Sequence, residues 1–318
     1  MPNANINKLG TTGKVVDGAL TEENAKFYDK NLLKRLLDTL VWAKFAQKRN
    51  APKNSGDTVS FRRFESLEPT ETPLEEGVTP DGRKLVVNEV KAVVEQYGDY
   101  IEITDKIDLL GIDPVLVEAS DILGEMAGVL VDNKCRDALT AGTNVIYAGG
   151  KTERAAIAAG DKLTGTLVKK AATVLKKANA KKINGYYIGI VDPDSASDLM
   201  DDPLWQDVSK YNGGTQIMKG ELGKIHGVRF VDASNGKIFE GAGAGGVDVH
   251  VTVILGADAY GLVDVDGSSK PKMIVKDFGS AGTADPLNQR ATAGYKLMFE
   301  TVRLQELAMV RIESAVSE

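Results

Sequence analysis

Between Pro52 and Thr104 a short alternating strand, a proline-broken acidic stretch and a long run of β-forming residues follow one another, and this succession most restricts what the chain can build. Val59 to Phe64 alternates, with Val59, Phe61 and Arg63 on one side and Ser60, Arg62 and Phe64 on the other, which predicts a strand. Residues 65–82 hold three prolines, two glycines and six acidic residues. That density of proline excludes a helix or a central strand. Leu85 to Thr104 then keeps β-type residues for ~20 positions, a reach of ~65 Å when extended. Gly98 is its one weak break. Ordinary strands run ~5–6 residues. A two-stranded excursion of this length has no room in a compact domain, so it is expected to protrude and to pair with another subunit. No catalytic residue type is concentrated in it.

The 318 residues suffice for one large or two ordinary domains. Hydrophobic residues are 42% and charged residues 26%, a globular rather than disordered balance. A net charge of −6 argues against a dedicated nucleic-acid binder with a dominant basic face. Residues 1–63 hold 12 Lys/Arg against 6 Asp/Glu, leaving −12 for the remainder. This basic start reads as a solvated arm or as an arm facing a polyanion. The single cysteine, Cys135, excludes an intramolecular disulfide framework and fits a small buried residue in a reducing compartment. The start MPNANINKLG has no apolar signal region, and no run approaches the ~18 apolar residues of a membrane helix. The expectation is a soluble protein made in a cytoplasm, with no membrane partner.

Thr21 to Trp42 has helical apolar spacing, and NAPKNSGD at 50–57 is turn chemistry. The strongest helix is expected over about 114–140. Asp113 would cap it and Pro114 would open it. Leu116, Ala119, Leu123, Met126, Leu130, Val131, Cys135 and Ala138 form its stripe. Val145 to Tyr147 reads as a short strand. A second helix spans 163–179, with the lysine pairs 169–170 and 176–177 outward. Tyr186–Val191, Ile225–Val231 and Val247–Leu255 read as strands, and Ala291–Ile312 alternates like core β-structure.

The motifs that would signal an enzyme fail on context. Gly241, Gly243 and Gly246 match G-x-G-x-x-G, but a strand-like VDVHVTVIL follows where a dinucleotide site needs a helix. Gly149, Gly150, Lys151 and Thr152 resemble the end of a P-loop, yet Val145 stands where its first glycine belongs. His226 and His250 are 24 residues apart on predicted strands, with no zinc-ligand spacing around them. Asp192, Asp194, Asp198, Asp201 and Asp202 cluster without the glycine and terminal glutamate of a calcium loop. They read as helix capping and surface charge, with a carboxylate-based hydrolase as the rival. No catalytic residue, metal or cofactor is expected.

Three segments resemble tailed-phage major capsid proteins of the N4 coat-protein type. In PKNSGDTVSFRRFESLEPTETPLEEGVTP the family pattern falls on Pro52 and Gly56, on Arg62 and Arg63, and on Pro73, Leu74, Glu76 and Gly77. GELGKIHGVRFVDAS at 220–234 and DPLNQRATAGYKLMFETVRLQELAMVRIESA at 285–315 resemble the same family. The resemblance runs in consistent order from about residue 25 onward. It implies an α+β protein of the Hong Kong 97-type capsid fold. The implied parts are an N-terminal arm (1–57), an extended loop (58–104), a peripheral domain (105–190) with its spine helix at about 114–140, an axial domain (191–265) and a return to the peripheral sheet (266–318).

The function so implied is a major capsid protein that self-assembles as pentamers and hexamers into the icosahedral head of a tailed bacteriophage, around double-stranded DNA bound without sequence specificity. Portal, decoration and scaffolding proteins are the further implied partners. The implied location is the virion, assembled in the bacterial host cytoplasm. Arg62, Arg63, Glu75 and Glu76 are the candidates for inter-subunit charge pairing. Lys84 and Lys91 lie where some relatives of this fold cross-link subunits, but no partner asparagine or assisting carboxylate is identified. An encapsulin-like cellular nanocompartment shell is the alternative with the same fold.

Overall fold

A computed structural model describes residues 41–317 apart from 53–55, 66, 68, 70, 72, 74, 75, 78, 80, 111–114, 207–220, 266–270, 281, 283 and 284. The helix expected from Thr21 therefore lies outside the described residues except at its end, as do the Asp113 cap, Pro114 and Glu75.

In chain order the strands are β1 (Gln47–Ala51), β2 (Thr58–Phe64), β3 (Val87–Val93) and β4 (Glu95–Thr104), followed by helices α1 (Asp105–Leu110) and α2 (Val115–Thr140). Then come β5 (Val145–Tyr147), α3 (Gly165–Lys177), β6 (Tyr187–Val191) and α4 (Pro193–Asp201). The rest is β7 (Glu221–Ile225), β8 (Val228–Asp232), β9 (Ile238–Phe239), β10 (Val249–Leu255), β11 (Tyr260–Val265), β12 (Lys272–Lys276), β13 (Arg290–Arg303) and β14 (Met309–Ser314).

Two larger sheets and one hairpin result. The five-stranded sheet runs β1-β11-β13-β12, with β4 also on β13. Strand β13 organises it, because its alternation is strict. Ala293, Tyr295, Leu297 and Phe299 are buried and join a core with Leu123, Ala127, Val131, Cys135 and Leu139 of α2. The buried stripe of α2 steps by four from Ala119 to Leu139, whereas Met126, expected inside, is 40% exposed. The small residues Gly124, Ala127 and Gly128 are buried on this helix, and they let its backbone lie close to the sheet.

The seven-stranded sheet runs β5-β14-β10-β6-β8-β7, with β9 on β10. All seven residues of β10 are buried. Val251, Val253 and Leu255 face the first core, and Ile254 joins Val310 and Ile312 in a second core under α3 and α4. Both helices begin on a side-chain cap: Thr164 Oγ1 accepts from Leu167 N–H and Asp192 from Ser195 N–H. In α3 the inward face also includes Val168 and Ala172, and both lysine pairs are outward as expected.

Three expectations change. The run from Leu85 to Thr104 is not one protruding strand. It breaks at Val94; β3 pairs with β2, and β4 pairs within the same chain with β13 over ten positions. Only the part up to Val93 belongs to the hairpin. The expected strand Ile225–Val231 is interrupted near its start: His226 (φ 51°) and Gly227 (φ 84°) take the left-handed conformations of a tight hairpin turn between β7 and β8, and Val228–Val231 belong to β8. His226 is thus in a turn, while His250 is on β10. Finally, the two sheets do not follow the segments 105–190, 191–265 and 266–318. Strand β5 and helix α3 pack with the seven-stranded sheet, and the C-terminal run splits at the 3-10 turn Glu306–Ala308, with β13 in one sheet and β14 in the other.

Candidate assembly surface

The hairpin β2–β3 is seated on the five-stranded sheet through the middle of its length. Phe61 and Ala92 are buried against Val263, with Val59, Val90, Val94, Val302 and Leu304 around them. A glycine makes the seat: a Cβ on Gly261 would come within 2.7 Å of the Phe61 ring. The Arg49 guanidinium lies 5.3 Å from that ring's centroid, within cation–π range. Beyond this seat the pairing continues to Phe64↔Val87, and Glu65 N–H donates to Val86 C=O at 3.0 Å. The far end presents apolar side chains to solvent: Phe64 is 62% exposed and Leu85 64%. Contiguous exposed apolar surface of this kind marks an interaction site.

Charges on the hairpin are set across its two strands. Arg62 lies opposite Glu89 and Arg63 opposite Asn88. The Glu89 carboxyl is held below its ordinary value by the Ser60 hydrogen bond first, and by the Lys91 and Arg62 charges. Asn88 Nδ2 donates to Glu65 Oε1 at 2.7 Å. Arg62 and Arg63 line a small cavity between the hairpin and the body, with Gln47, Arg49 and Asp258. Glu76 is exposed in a turn with Gly77, far along the chain from either arginine. Within one subunit the structure therefore sets Arg62 opposite Glu89, and Glu75 lies outside the described residues.

A second anchor ties down the chain where it enters the described region. Asp132 of α2 is 1% exposed and accepts from the Val41 and Trp42 N–H groups at 2.9 and 2.8 Å and from Asn235 Nδ2 at 3.0 Å. Burial pushes its carboxyl up, against the pull of these donors. Trp42 Nε1 donates to Asn235 Oδ1, and the Tyr260 hydroxyl donates to Trp42 C=O. Nothing in the local sequence around Asp132 or Asn235 marks this cluster, because its members are about 90, 100 and 190 positions apart.

The groups tested for chemistry turn out to be structural. Asp192 caps α4, and its Oδ2 lies 2.7 Å from His250 Nδ1 in a buried pair. Burial works to lower His250, but the Asp192 hydrogen bond and charge, with Asp194 and Asp248, raise it overall. Burial likewise works to raise Asp192, and the hydrogen bonds of His250 and Ser195 lower it overall. Asp198 accepts from Ser317 N–H at 2.9 Å, and Asp202 from Gly165 N–H and Leu204 N–H at 2.8 Å. The acidic cluster is thus spent on caps and tethers rather than on a pair facing an open cleft.

Asp192, Asp194 and His250 form a group among the described residues whose ligand atoms all lie within 4.8 Å of one another, but Asp192 Oδ2 is already engaged by His250 and by Ser195 N–H. Gly149 and Gly150 sit in a 3-10 turn with positive φ, and the Asp161 carboxylate occupies the space that a Cβ on Gly149 would need. The glycines at 241–246 lead into β10, a strand. Cys135 is buried beside Thr301, and burial pushes its thiol up to about 12, so it is no nucleophile. Among the described residues no helix is long and apolar enough to cross a membrane.

Comparison with known proteins agrees with a surface built for assembly. A family model described as phage capsid protein matches residues 87–312. The fold is similar to the capsid of Ralstonia phage GP4 (TM-score 0.68, 15% identity, 86% of this chain and 88% of that one). It is similar to the cyanophage Pam1 capsid over the whole of both chains (TM-score 0.66, 15% identity). It is also similar to the head of Helicobacter pylori bacteriophage KHP40 over the whole of both chains (TM-score 0.65, 15% identity). No curated protein matches the sequence.

Proposed function

Since this chain belongs to the phage capsid protein family, we propose that it is the major capsid protein of a tailed bacteriophage, a structural protein and not an enzyme, with the Hong Kong 97-type fold. Its subunits form the icosahedral head. In the fuller reading they do so as pentamers and hexamers, in the bacterial cytoplasm, around double-stranded DNA, with a portal and scaffolding or decoration proteins as further partners. The five-stranded sheet with α2 serves as the peripheral domain and the seven-stranded sheet with α3 and α4 as the axial domain. The extended loop is then the β2–β3 hairpin and the segment it carries.

One observation carries the reading within the chain: a hairpin held by Phe61 that lifts Phe64, Leu85 and Val86 into solvent. Each such side chain gives ~1.5–3 kcal/mol when a neighbour covers it, and a symmetric shell repeats the gain at every subunit. Arg62, Arg63, Glu75 and Glu76 belong to this arm and are assigned to charge pairing between subunits. The match to phage capsid proteins favours this reading over a nanocompartment shell. Expression of the full chain followed by sedimentation and electron microscopy tests it. Megadalton shells are expected, and a protein that remains a small oligomer under all assembly conditions contradicts it. Nucleic acid rather than protein cargo inside native particles separates a phage head from a nanocompartment.

A further inference from the structure

From Lys162 to Val191 the chain holds seven lysines and no aspartate or glutamate, in a protein whose net charge is −6. Helix α3 buries Val168, Ala171, Ala172 and Leu175 against the seven-stranded sheet, which leaves Lys169, Lys170, Lys176 and Lys177 exposed on the side turned away from it. Steps of seven residues separate the two pairs, so each lysine recurs on the same face ~10 Å further along the axis. Lys181 and Lys182 carry the row past the helix end and are also exposed. These six lysines have no carboxylate within ion-pair distance among the described residues, whereas Lys162, ahead of the helix, lies 3.6 Å from Asp198. The turn between β7 and β8 stands beside the row: burial first, and then the Lys169 and Lys176 charges, hold His226 below its ordinary value, with Asp202 pulling the other way.

A face this basic suits an acidic protein surface or a polyphosphate, and its other side chains decide between them. Protein interfaces are built around aromatic and aliphatic anchors, with charge at the rim. Among the described residues no large apolar side chain is exposed between Lys169 and Lys182, nor on β7 and β8. Thr173, exposed between the lysine pairs, is polar. Leu204, 44% exposed, lies at the opposite end of α3 beside Gly165, and the other exposed apolar groups stand elsewhere, Phe64 and Leu85 on the hairpin and Ile122 and Met126 on α2. Duplex DNA asks for the reverse of a protein partner: lysines on phosphates, with no apolar anchor. The chain does not neutralise the face itself. Residues 207–220, which lead into β7, have two lysines against one aspartate, and Asp192, Asp198 and Asp202 are engaged in caps and tethers.

We propose that the lysine face of α3 is the surface this subunit turns toward the enclosed duplex DNA, with Lys169, Lys170, Lys176 and Lys177 on phosphates and no base read. The assignment rests on the capsid reading and names, within it, the side of the seven-stranded sheet that faces the lumen. Three full-length proteins test it: wild type, Lys169→Gln/Lys170→Gln/Lys176→Gln/Lys177→Gln, and a control with the same charge change on α1 and the five-stranded sheet, Lys106→Gln/Lys272→Gln/Lys276→Gln/Lys296→Gln. All eight lysines are exposed, and glutamine matches the helix propensity of lysine, so both variants are expected to keep the wild-type melting temperature.

Binding of unassembled protein to a short fluorescent duplex of mixed sequence is followed by anisotropy over a salt series. The slope of log K against log salt changes by about 0.9 per phosphate engaged, so the α3 variant should lose about 3–4 from the slope and bind at least about tenfold more weakly at low salt. The control should bind as wild type does. An α3 variant that binds like wild type, or a control that loses as much, overturns the proposal and leaves the capsid reading intact. Sedimentation of the same proteins should show shells in equal yield for wild type and the α3 variant. Shells lost in that variant alone would make the face a contact for an acidic protein surface and overturn the proposal. In closed shells an amine-reactive dextran should leave the four α3 lysines unmodified until the shells are opened; their modification in closed shells puts the face outside and overturns the proposal too. Wild-type protein that makes no shells overturns the capsid reading and the proposal with it.

Discussion

With its ring seated over Gly261 and packed among Val59, Val90 and Leu304, Phe61 is the largest buried side chain between the hairpin and the sheet. A buried Phe→Ala change costs ~3–5 kcal/mol. Here the loss falls on the hairpin, so Phe61→Ala should raise amide exchange over 58–64 and 87–93 by roughly two to three and a half orders of magnitude and leave β10 protected. Uniform exchange across both sheets would contradict a local anchor. The Asp192–His250 pair gives a pH dependence of definite sign. His250 is raised above its usual 6.5, so its contribution is complete below 6.5 and is lost as pH rises through the raised value. Asp192 is lowered below its usual 3.8, so its contribution is complete above 3.8 and is lost as pH falls through the lowered value. The stability difference between wild type and His250→Gln should be greatest between these limits and shrink on either side, as measured by denaturant midpoints across pH. At this scale the sequence showed the alternation around Phe61 and the cap at Asp192. It could not show Gly261 as the seat of Phe61, because a strand glycine 200 positions away carries no mark of what lies over it.

Elements explain where the long β run divides. Leu85 to Thr104 is uniformly β-forming, and periodicity alone reads it as one strand. What splits it is pairing: β2 covers residues up to Val93, and the edge of β13 covers residues from Glu95. The same holds for the C-terminal run, where alternation continues through Ile312 while the chain changes sheets between Arg303 and Met309. Strand β14 is fixed in its new sheet by charge. Glu313 is wholly buried, with Arg154 Nε at 2.8 Å and Arg311 Nε at 2.9 Å. Removing one member of a buried group leaves the others uncompensated, at ~3–5 kcal/mol. Glu313→Ala should therefore lower the melting temperature far more than Glu153→Ala, an exposed neighbour of Arg154. Equal shifts would show that Arg154 and Arg311 find other partners. The end of α2 near Thr140 was legible, since Gly142 and Asn144 lie within a turn of it, whereas α3 is shorter than the expected 163–179 and starts on the Thr164 cap. The buried face of α2 was legible in part: Ala119, Leu123, Val131 and Cys135 are buried as expected, but Ala127 and Leu139 were missed and Met126 is exposed, because a helix packed through alanine and glycine blurs its contact stripe in a hydrophobicity pattern.

At the scale of the whole molecule the chain passes between the two sheets several times, with β13 and β14 at the end completing one of each. The body is thereby closed without the segment between Glu65 and Val86. The segment is carried on the hairpin, where Glu65 N–H donates to Val86 C=O. Replacing 66–85 by an Asn-Gly turn, which suits the twist of a two-stranded hairpin, should therefore leave the melting temperature and the exchange protection of β10 and β13 at wild-type values. The exposed residues Leu67, Glu71, Glu76 and Leu85 go with it, and none of them is among the buried residues of the two main cores. Assembly is the property that should fail: shells seen for the wild-type chain by electron microscopy should give way to isolated small oligomers. Shells at undiminished yield would mean that the loop adds nothing between subunits, and that the exposed faces of the two sheets suffice to close the shell.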